Sequence, residues 1–205
     1  NTVQIWNVSD GGGVLKLQGE TYDQLASYIS GVGWSPDGKS IAFANGEEYG
    51  TVQVRNATDG QLMYNFQGHK YGVVAMAWSP DGTRIASAGA YVSGESGTLD
   101  DRAVQVWNAA DGGNVFMYLG HALGAGNLAW SPDSKRIASA SDDVQVWNAT
   151  DGGNVLMYRG HADYVTALAW SPDGRYIVSG GWTKDRTVQV LSLIHISEPT
   201  RQAEI

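Results

Sequence analysis

The chain has 205 residues, of which 42% are hydrophobic and 10% aromatic, so it is long enough to bury a core and has the composition of a folded globular protein. Its formal net charge of −8 is spread along the chain without a basic block, which argues against nucleic acid or an anionic membrane surface as a partner. The absence of Cys excludes disulfides, thiolate metal ligands and Cys nucleophiles, and no apolar run reaches the roughly 18 residues of a membrane span.

Three short motifs recur in step from one end of the chain to the other. A Val-Gln-Val segment, or its variant Val-Gln-Ile, begins at Val3, Val52, Val104, Val144 and Val188. A Trp-Ser-Pro-Asp turn begins at Trp34, Trp78, Trp130 and Trp170, and a Gly-His pair begins at Gly68, Gly120 and Gly160. Every Trp except Trp182 belongs to one of the periodic series. This regular recurrence predicts a repeat protein.

Each repeat contains short apolar runs separated by turn residues. In one repeat the runs are residues 73–78, 84–88, 104–107 and 115–118, and the segments between them include Ser-Pro-Asp-Gly and Asn-Ala-Ala-Asp-Gly-Gly. Such runs, rich in Val, Ile and aromatic residues, are strand signals, and the segments between them are hairpin signals. Four antiparallel strands in a repeat of about 40 residues predict the blade of a β-propeller.

The Gly-His pair, the Trp-Ser-Pro-Asp turn and the Trp-Asn pair occur together, and this joint pattern resembles the WD40 repeat family over residues 1–190. The resemblance implies an all-β propeller whose blades have four strands, a to d, counted outward from the centre. The Val-Gln-Val segment is then strand c. Two features resemble bacterial WD-repeat proteins in particular. The blades are very similar to one another, and the connector reads Trp-Asn-Ala-Thr-Asp-Gly.

The repeats predict the domain boundaries. We expect a partial blade at 1–19, blades at about 20–67, 68–119 and 120–159, and a partial blade at 160–190. This gives an incomplete ring of about four to five blades, and its open edges predict homo-oligomer formation. Residues 191–205 resemble a translated sequencing adapter, since one back-translation of 191–201 reproduces the end of a transposase-based library adapter. We therefore treat 191–205 as a non-native tail, and the rest as an internal fragment of a longer protein.

In the WD40 family, a His, a Ser or Thr, an Asp and the strand-c Trp form a hydrogen-bonded chain that ties the blades together. The resemblance implies this network at His69, Ser87, Asp101 and Trp107 in one repeat. In the next repeat it implies His121, Ser139 and Trp147, with Asp142 or its neighbour Asp143 as the acid, and in the last it implies His161, Ser179 and Asp185. Buried indole, hydroxyl and imidazole groups all need partners, and one network satisfies them together.

The earlier repeat departs from this network at each position. Glu20, Phe43, Tyr49 and Arg55 stand where His, Ser, Asp and Trp are expected. A polar network is stable only when its members are all satisfied, so we expect this blade to be the loosest.

No residues in the sequence indicate catalysis or cofactor binding. Ser, His and Asp recur in every intact repeat, whereas a catalytic site needs one exposed constellation. The three repeat His occupy one structural position in different blades, so they cannot converge on a metal ion. The Asp-Gly pairs are turn residues, and no helix follows the Gly runs to hold a phosphate. We predict no enzyme, no metal site and no cofactor.

The predicted binding surface is the face where the d–a and b–c loops emerge. Two loops on this face are longer than their counterparts, one before Trp34 and one between Ser87 and Val104. Interfaces are commonly anchored by exposed aromatic residues. The candidates on this face are Trp182, Tyr164, Tyr71, Leu123 and Tyr91.

These observations predict a non-enzymatic protein–protein interaction scaffold that binds a protein or peptide on the d–a/b–c loop face. An alternative is an accessory or sensory propeller of a larger bacterial enzyme, such as a serine/threonine protein kinase. A third hypothesis is a periplasmic propeller of the Tol-associated type, which has a sequence motif similar to residues 34–43. The repeated Gly-His and Trp-Asn pairs favour the WD-repeat hypotheses over it.

Overall fold

A computed structural model of the protein describes residues 2–18, 28–46, 50–90 and 102–193, and the regular structure in these ranges is β-strand. The strands are β1 (Thr2–Trp6), β2 (Gly13–Gln18), β3 (Ile29–Trp34), β4 (Ser40–Asn45), β5 (Val52–Asn56), β6 (Leu62–Phe66), β7 (Val73–Trp78), β8 (Arg84–Gly89), β9 (Val104–Asn108), β10 (Phe116–Tyr118), β11 (Asn127–Trp130), β12 (Arg136–Ala140), β13 (Val144–Asn148), β14 (Leu156–Tyr158), β15 (Val165–Trp170), β16 (Tyr176–Gly181) and β17 (Val188–Ser192). The predicted site residues Tyr91 and Asp101 lie outside the described ranges.

The described strands form successive antiparallel sheets in which each strand pairs with its neighbour in sequence. Four-stranded sheets comprise β3–β6, β7–β10 and β11–β14, and we call them the first, second and third blades. The strands β15–β17 form a three-stranded last blade, and β1 and β2 form a two-stranded sheet. The leading strands contact one another in the order β3, β7, β11, β15. The predicted all-β architecture of propeller blades in an open, incomplete ring is confirmed.

The turn between the first two strands of each blade is closed by the Trp-Ser-Pro-Asp motif. Ser35 Oγ donates to Asp37 Oδ1 at 2.6 Å and accepts the backbone N–H of Ser40 at 2.9 Å. The same Ser–Asp bond recurs in the other blades. Gly follows the Asp with a φ near +70° in three of these turns, and Ser134 takes that position in the third blade with a φ of 59°. The motif therefore encodes a tight hairpin by local hydrogen bonding.

The second and third blades each bury one face against the preceding blade and the other against the following one. Trp107 and Trp147 are fully buried on the faces toward the preceding blades. The Trp107 ring stacks on Phe66 of the first blade at a centroid distance of 4.3 Å, and the Trp147 ring stacks on Tyr118 of the second blade at 4.1 Å. In the last blade Leu191 takes the Trp position and is buried opposite Ile177. Strand β17 thus runs two residues past the predicted boundary at 190.

A Ser hydroxyl on the second strand joins a Trp and a His in the second and third blades. Trp107 Nε1 donates to Ser87 Oγ at 3.1 Å, and His69 Nε2 lies 2.8 Å from the same oxygen. In the third blade the corresponding distances at Ser139 Oγ are 2.9 Å from Trp147 Nε1 and 2.7 Å from His121 Nε2. In the last blade His161 Nε2 is 2.7 Å from Ser179 Oγ, and His161 Nδ1 pairs with Asp185.

The acid of the third blade is Asp143, and the assignment to Asp142 is corrected. Asp143 is buried, and its Oδ1 lies 3.1 Å from His121 Nδ1, whereas Asp142 is exposed. The reason is the short turn in which Ser141 N–H donates to the Asp143 carbonyl, so that Asp143 is placed at the inward position. Gln145 Nε2 also donates to both Asp143 carboxylate oxygens, at 3.0 and 3.2 Å.

The first blade replaces this polar network with apolar packing. Phe43 is fully buried and packs in one cluster with Leu17 and Ile41. The Arg55 guanidinium lies 5.9 Å from the Phe43 ring centroid, Nε donates to Gln53 Oε1 at 2.9 Å, and Nη1 donates to the Gly60 carbonyl at 3.1 Å. Glu20 and Tyr49 lie outside the described residues. The lower stability of this blade stays a prediction.

The last blade exposes the face that the other blades bury. Val188 and Val190 are 75% and 67% exposed, whereas their counterparts Val144 and Val146 in the third blade are at most 3% exposed. These counterparts pack against the last blade. The sequence of the exposed face is therefore that of an inter-blade surface.

The Ser-centred network predicts unequal effects for the same substitution in two blades. Ser139→Ala removes the partner of two buried groups, Trp147 Nε1 and His121 Nε2, whereas Ser179→Ala removes the partner of His161 alone. Each unsatisfied buried polar group costs about 1–3 kcal/mol, so Ser139→Ala should lower the free energy of unfolding more. Urea unfolding followed by circular dichroism measures both variants, and equal losses would contradict the prediction.

The surroundings of His121 predict its titration. Burial lowers the pKa of His121 below the usual 6.5, and the Asp143 carboxylate opposes that shift. The stabilisation from neutral His121 is therefore complete above about pH 6.5 and is lost as the pH falls through the folded-state pKa. Asp143→Asn should lower the His121 pKa further, and Asp142→Asn should lower it less, because Asp142 is exposed. NMR titration of the imidazole signals tests this, and equal shifts in the two variants would refute the assignment of Asp143.

Candidate functional site

An apolar groove opens at the ends of the leading strands of the second, third and last blades. It encloses about 500 Å³. Its side-chain lining includes Val74, Leu123, Ala125, Tyr164, Val165 and Trp182. These residues lie at the ends where the d–a and b–c loops emerge, so the groove lies on the face predicted to bind a partner. Its volume is within the range of sites that hold a ligand or an anchoring side chain.

Two exposed aromatic residues form one wall of the groove. Trp182 is 54% exposed and Tyr164 is 44% exposed. The backbone N–H of Trp182 donates to the backbone carbonyl of Tyr164 at 2.8 Å, and this bond connects the loop after β16 to the loop before β15. The two rings are therefore held on neighbouring, directly bonded loops.

Asp163 fixes these two loops relative to each other. Its Oδ2 accepts the N–H of Lys184 at 3.1 Å and the hydroxyl of Thr183 at 3.3 Å, and its Oδ1 accepts the N–H of Tyr164 at 2.9 Å. The hydrogen bonds from Lys184 and Tyr164 lower the pKa of Asp163, so it is ionised at neutral pH. The aromatic wall is thus organised before any partner binds.

Small residues of the third blade form the floor of the groove. Gly124, Ala125 and Gly126 line it, and Gly126 stands where the second and last blades have Val74 and Thr166. The missing side chain leaves space between the blades. Neither this floor nor the role of Asp163 was predicted from the sequence, although the Leu-Gly-Ala-Gly run at 123–126 differs from the other repeats.

The structure brings three of the five predicted partner-binding residues together, namely Leu123, Tyr164 and Trp182. Tyr71 does not line the groove. Tyr71 and Leu123 each lie two residues after their Gly-His pair, and Tyr164 lies three residues after its own, so the counterpart of Tyr71 in the third blade is Leu123. Tyr71 is half-buried, and the Lys70 ammonium lies 5.0 Å from its ring centroid. Tyr91 lies outside the described residues.

The chemistry of the described residues is that of a binding surface. The Ser, His and Asp of the third blade are buried, so they do not present a nucleophile to a substrate. Within the described ranges, no group of three or more His, Asp or Glu residues is arranged to hold a metal ion. No helix in those ranges is long and apolar enough to cross a membrane.

Comparison with known proteins finds several WD-repeat relatives. The chain is 30% identical over 118 residues to "WD repeat-containing protein slp1" of Schizosaccharomyces pombe, which covers 56% of this chain and 21% of that protein. It is 30% identical over 166 residues to "Periodic tryptophan protein 2 homolog" of Dictyostelium discoideum, and the alignment covers 63% of this chain and 17% of that protein. It is 31% identical over 131 residues to "Protein FIZZY-RELATED 1" of Arabidopsis thaliana, covering 64% and 24%.

These relatives limit what is transferred to the chain. The chain spans at most 24% of the length of the three relatives. All three are eukaryotic, so they give no support to the prediction of bacterial-type repeats.

Family models match most of the sequence. The model described as "WD domain, G-beta repeat" matches residues 60–108, 112–147 and 152–191. The model described as "Anaphase-promoting complex subunit 4 WD40 domain" matches residues 1–81. Because the repeat model alone matches more than half of the chain and the blades have the corresponding strands, the chain belongs to the WD40 repeat family.

Proposed function

We propose that this WD40 chain is a non-enzymatic scaffold that binds a protein or peptide in the apolar groove on the d–a/b–c loop face. WD40 repeat proteins typically act as protein-interaction scaffolds. The observation that carries the choice of face is the exposed pair of Trp182 and Tyr164, held on bonded loops beside an apolar cavity.

The physical properties of the groove define the partner. Aromatic residues supply most of the binding energy at many interfaces because they bury a large area and have few rotatable bonds. The groove is lined mainly by apolar side chains, so it favours a segment that inserts a large apolar side chain beside Trp182. Asp163 restrains both loops, which reduces the entropy lost on binding.

The alternative function is an accessory or sensory propeller of a larger enzyme. Its activity would depend on a catalytic domain, and no kinase motif occurs in these residues. The groove would then bind a protein segment as the accessory or sensory site of that enzyme. The scaffold is the better-supported proposal because it requires only the residues described.

Self-association is a second proposal, supported by the exposed face of the last blade. Val188 and Val190 occupy positions that are buried in the other blades. A second copy of the chain that covers these residues removes apolar surface from water.

Lysine substitutions test self-association. Val188→Lys combined with Val190→Lys should shift the chain toward the monomer, because two charges would be buried in the contact. Val155→Lys, at a 45% exposed position outside this face, is the control. Sedimentation velocity over a range of concentrations measures the association. A wild-type chain that stays monomeric throughout would refute the proposal.

Alanine substitutions test the groove. Peptides selected from a random library against the whole chain should bind Trp182→Ala and Tyr164→Ala about tenfold or more weakly, which is the loss expected for hot-spot aromatics. Fluorescence anisotropy with labelled selected peptides measures the affinities.

The control is Met157→Ala, because Met157 is 44% exposed, the same fraction as Tyr164, but lies on the outermost strand of the third blade and does not line the groove. Selected peptides that lose affinity for Met157→Ala and keep it for the two groove variants would place binding elsewhere.

A further inference from the structure

An arginine crosses the seam between the second and third blades. Arg84 Nη2 donates to the Ser134 carbonyl at 2.7 Å and Nη1 donates to the Ala149 carbonyl at 3.2 Å. Its guanidinium lies 4.9 Å from the centroid of the Trp130 ring. The third blade thus contacts the guanidinium with an aromatic face and two carbonyl oxygens. Stacking and hydrogen bonding of this kind bind a guanidinium well.

The next seam repeats the stacking. Arg136 of the third blade lies with its guanidinium 5.0 Å from the centroid of the Trp170 ring in the last blade. Both arginines begin the second strand of their blade, Arg84 opposite Asn108 and Arg136 opposite Asn148. The inserted arginine is therefore a feature of this strand position.

The seam between the first and second blades lacks the arginine. Ser40, opposite Asn56, occupies its position. The receiving residues are retained, because Trp78, Gly82 and Ala109 stand where the third blade has Trp130, Ser134 and Ala149. All three line a cavity of about 460 Å³, and we call it the first-seam cavity.

The Trp78 ring lines this cavity, and its indole N–H is an unsatisfied donor. Trp130 Nε1 donates to the Ala77 carbonyl and Trp170 Nε1 to the Ala129 carbonyl, each at 3.0 Å. Trp78 Nε1 is buried and has no hydrogen-bond partner in the part of the chain that the structure describes. The Trp of the first seam thus differs from its two counterparts where the arginine is missing.

Two carboxylates add negative charge to the first-seam cavity. Asp37 and Asp81 both line it. Their described hydrogen bonds, from Ser35 and Lys39 and from Ser79 and Thr83, all end on Oδ1. The cavity wall also includes Met63, an exposed thioether side chain that accepts a weak bond from Ser40 Oγ and can change rotamer.

We propose that the first-seam cavity binds an arginine side chain of a partner protein or peptide. The occupant is inferred from the neighbouring seam, where Arg84 of the chain itself stacks on a Trp ring and donates to two carbonyls. The guanidinium stacks on Trp78, donates to the carbonyls of Gly82 and Ala109, and is neutralised by Asp37 and Asp81. A planar cation with several N–H donors fits this set better than an ammonium group. This cavity lies at the Ser-Pro-Asp turns of the first and second blades, on the face opposite the apolar groove. The proposed arginine site is therefore separate from the groove and goes beyond the proposed function.

The test uses N-acetyl-L-arginine amide as the probe and the Trp indole signals of the ¹⁵N-labelled whole chain as the readout. The Trp78 signal, assigned with Trp78→Phe, should shift in a saturable way. The uncharged analogue N-acetyl-L-citrulline amide should bind at least about tenfold more weakly, because the charge-assisted bonds are lost. A Trp78 shift that does not saturate, or that is equal for both probes, overturns the proposal.

A pair of reciprocal variants checks the location. Ser40→Arg supplies the chain's own guanidinium and should abolish the Trp78 response to the probe. Arg84→Ser vacates the second seam and should create a new saturable response at the Trp130 indole. Circular dichroism confirms that each variant is folded. If Ser40→Arg binds the probe like the wild type, or folded Arg84→Ser gains no response, the proposal is wrong. Peptide binding at Trp182 is measured separately, so failure here leaves the proposed function standing.

Discussion

The structure depends on the need to satisfy a buried indole N–H between two stacked blades. Trp107 and Trp147 are fully buried and stack on Phe66 and Tyr118 of the preceding blades. Burying an indole this deeply is favourable only if its N–H has a partner, and a Ser hydroxyl on the adjacent strand provides one. The same hydroxyl also contacts a His from the loop between blades. Packing between blades and hydrogen bonding within a blade are therefore coupled through one oxygen atom.

The fold was predictable from the sequence because it follows a repeated local pattern, whereas the network was expected only from the resemblance to the WD40 family. The strands follow alternating apolar runs, and the Ser-Pro-Asp turns close by bonds between residues two apart. The choice between Asp142 and Asp143 was not predictable, because it depends on how a short turn orients adjacent side chains. The groove was predictable only in part. Tyr164 and Trp182 stand out as aromatics outside the repeated motifs, whereas the Gly126 floor and the position of Tyr71 outside the groove depend on how neighbouring blades pack.

The candidate sites lie where one repeat departs from the others. Gly126 replaces a larger residue and opens the groove beside Trp182. Ser40 replaces an arginine and leaves the first-seam cavity. At Phe43 and Arg55 the departure has another result, since apolar packing and a cation–π contact occupy the space of the polar network. A repeat architecture tolerates such changes because each blade contacts mainly its neighbours.

The left-handed backbone of Ser134 has a consequence for protein engineering. Gly fills the corresponding position in the other turns, where it adopts a positive φ without a Cβ penalty. A consensus design would therefore replace Ser134 by Gly to relieve local strain. Yet Ser134 Oγ accepts the N–H of Asp81 at 3.0 Å, which is a hydrogen bond between two blades. A consensus sequence averaged over the repeats would remove this bond. Ser134 differs from the other repeats, but it contributes to the contact between the second and third blades.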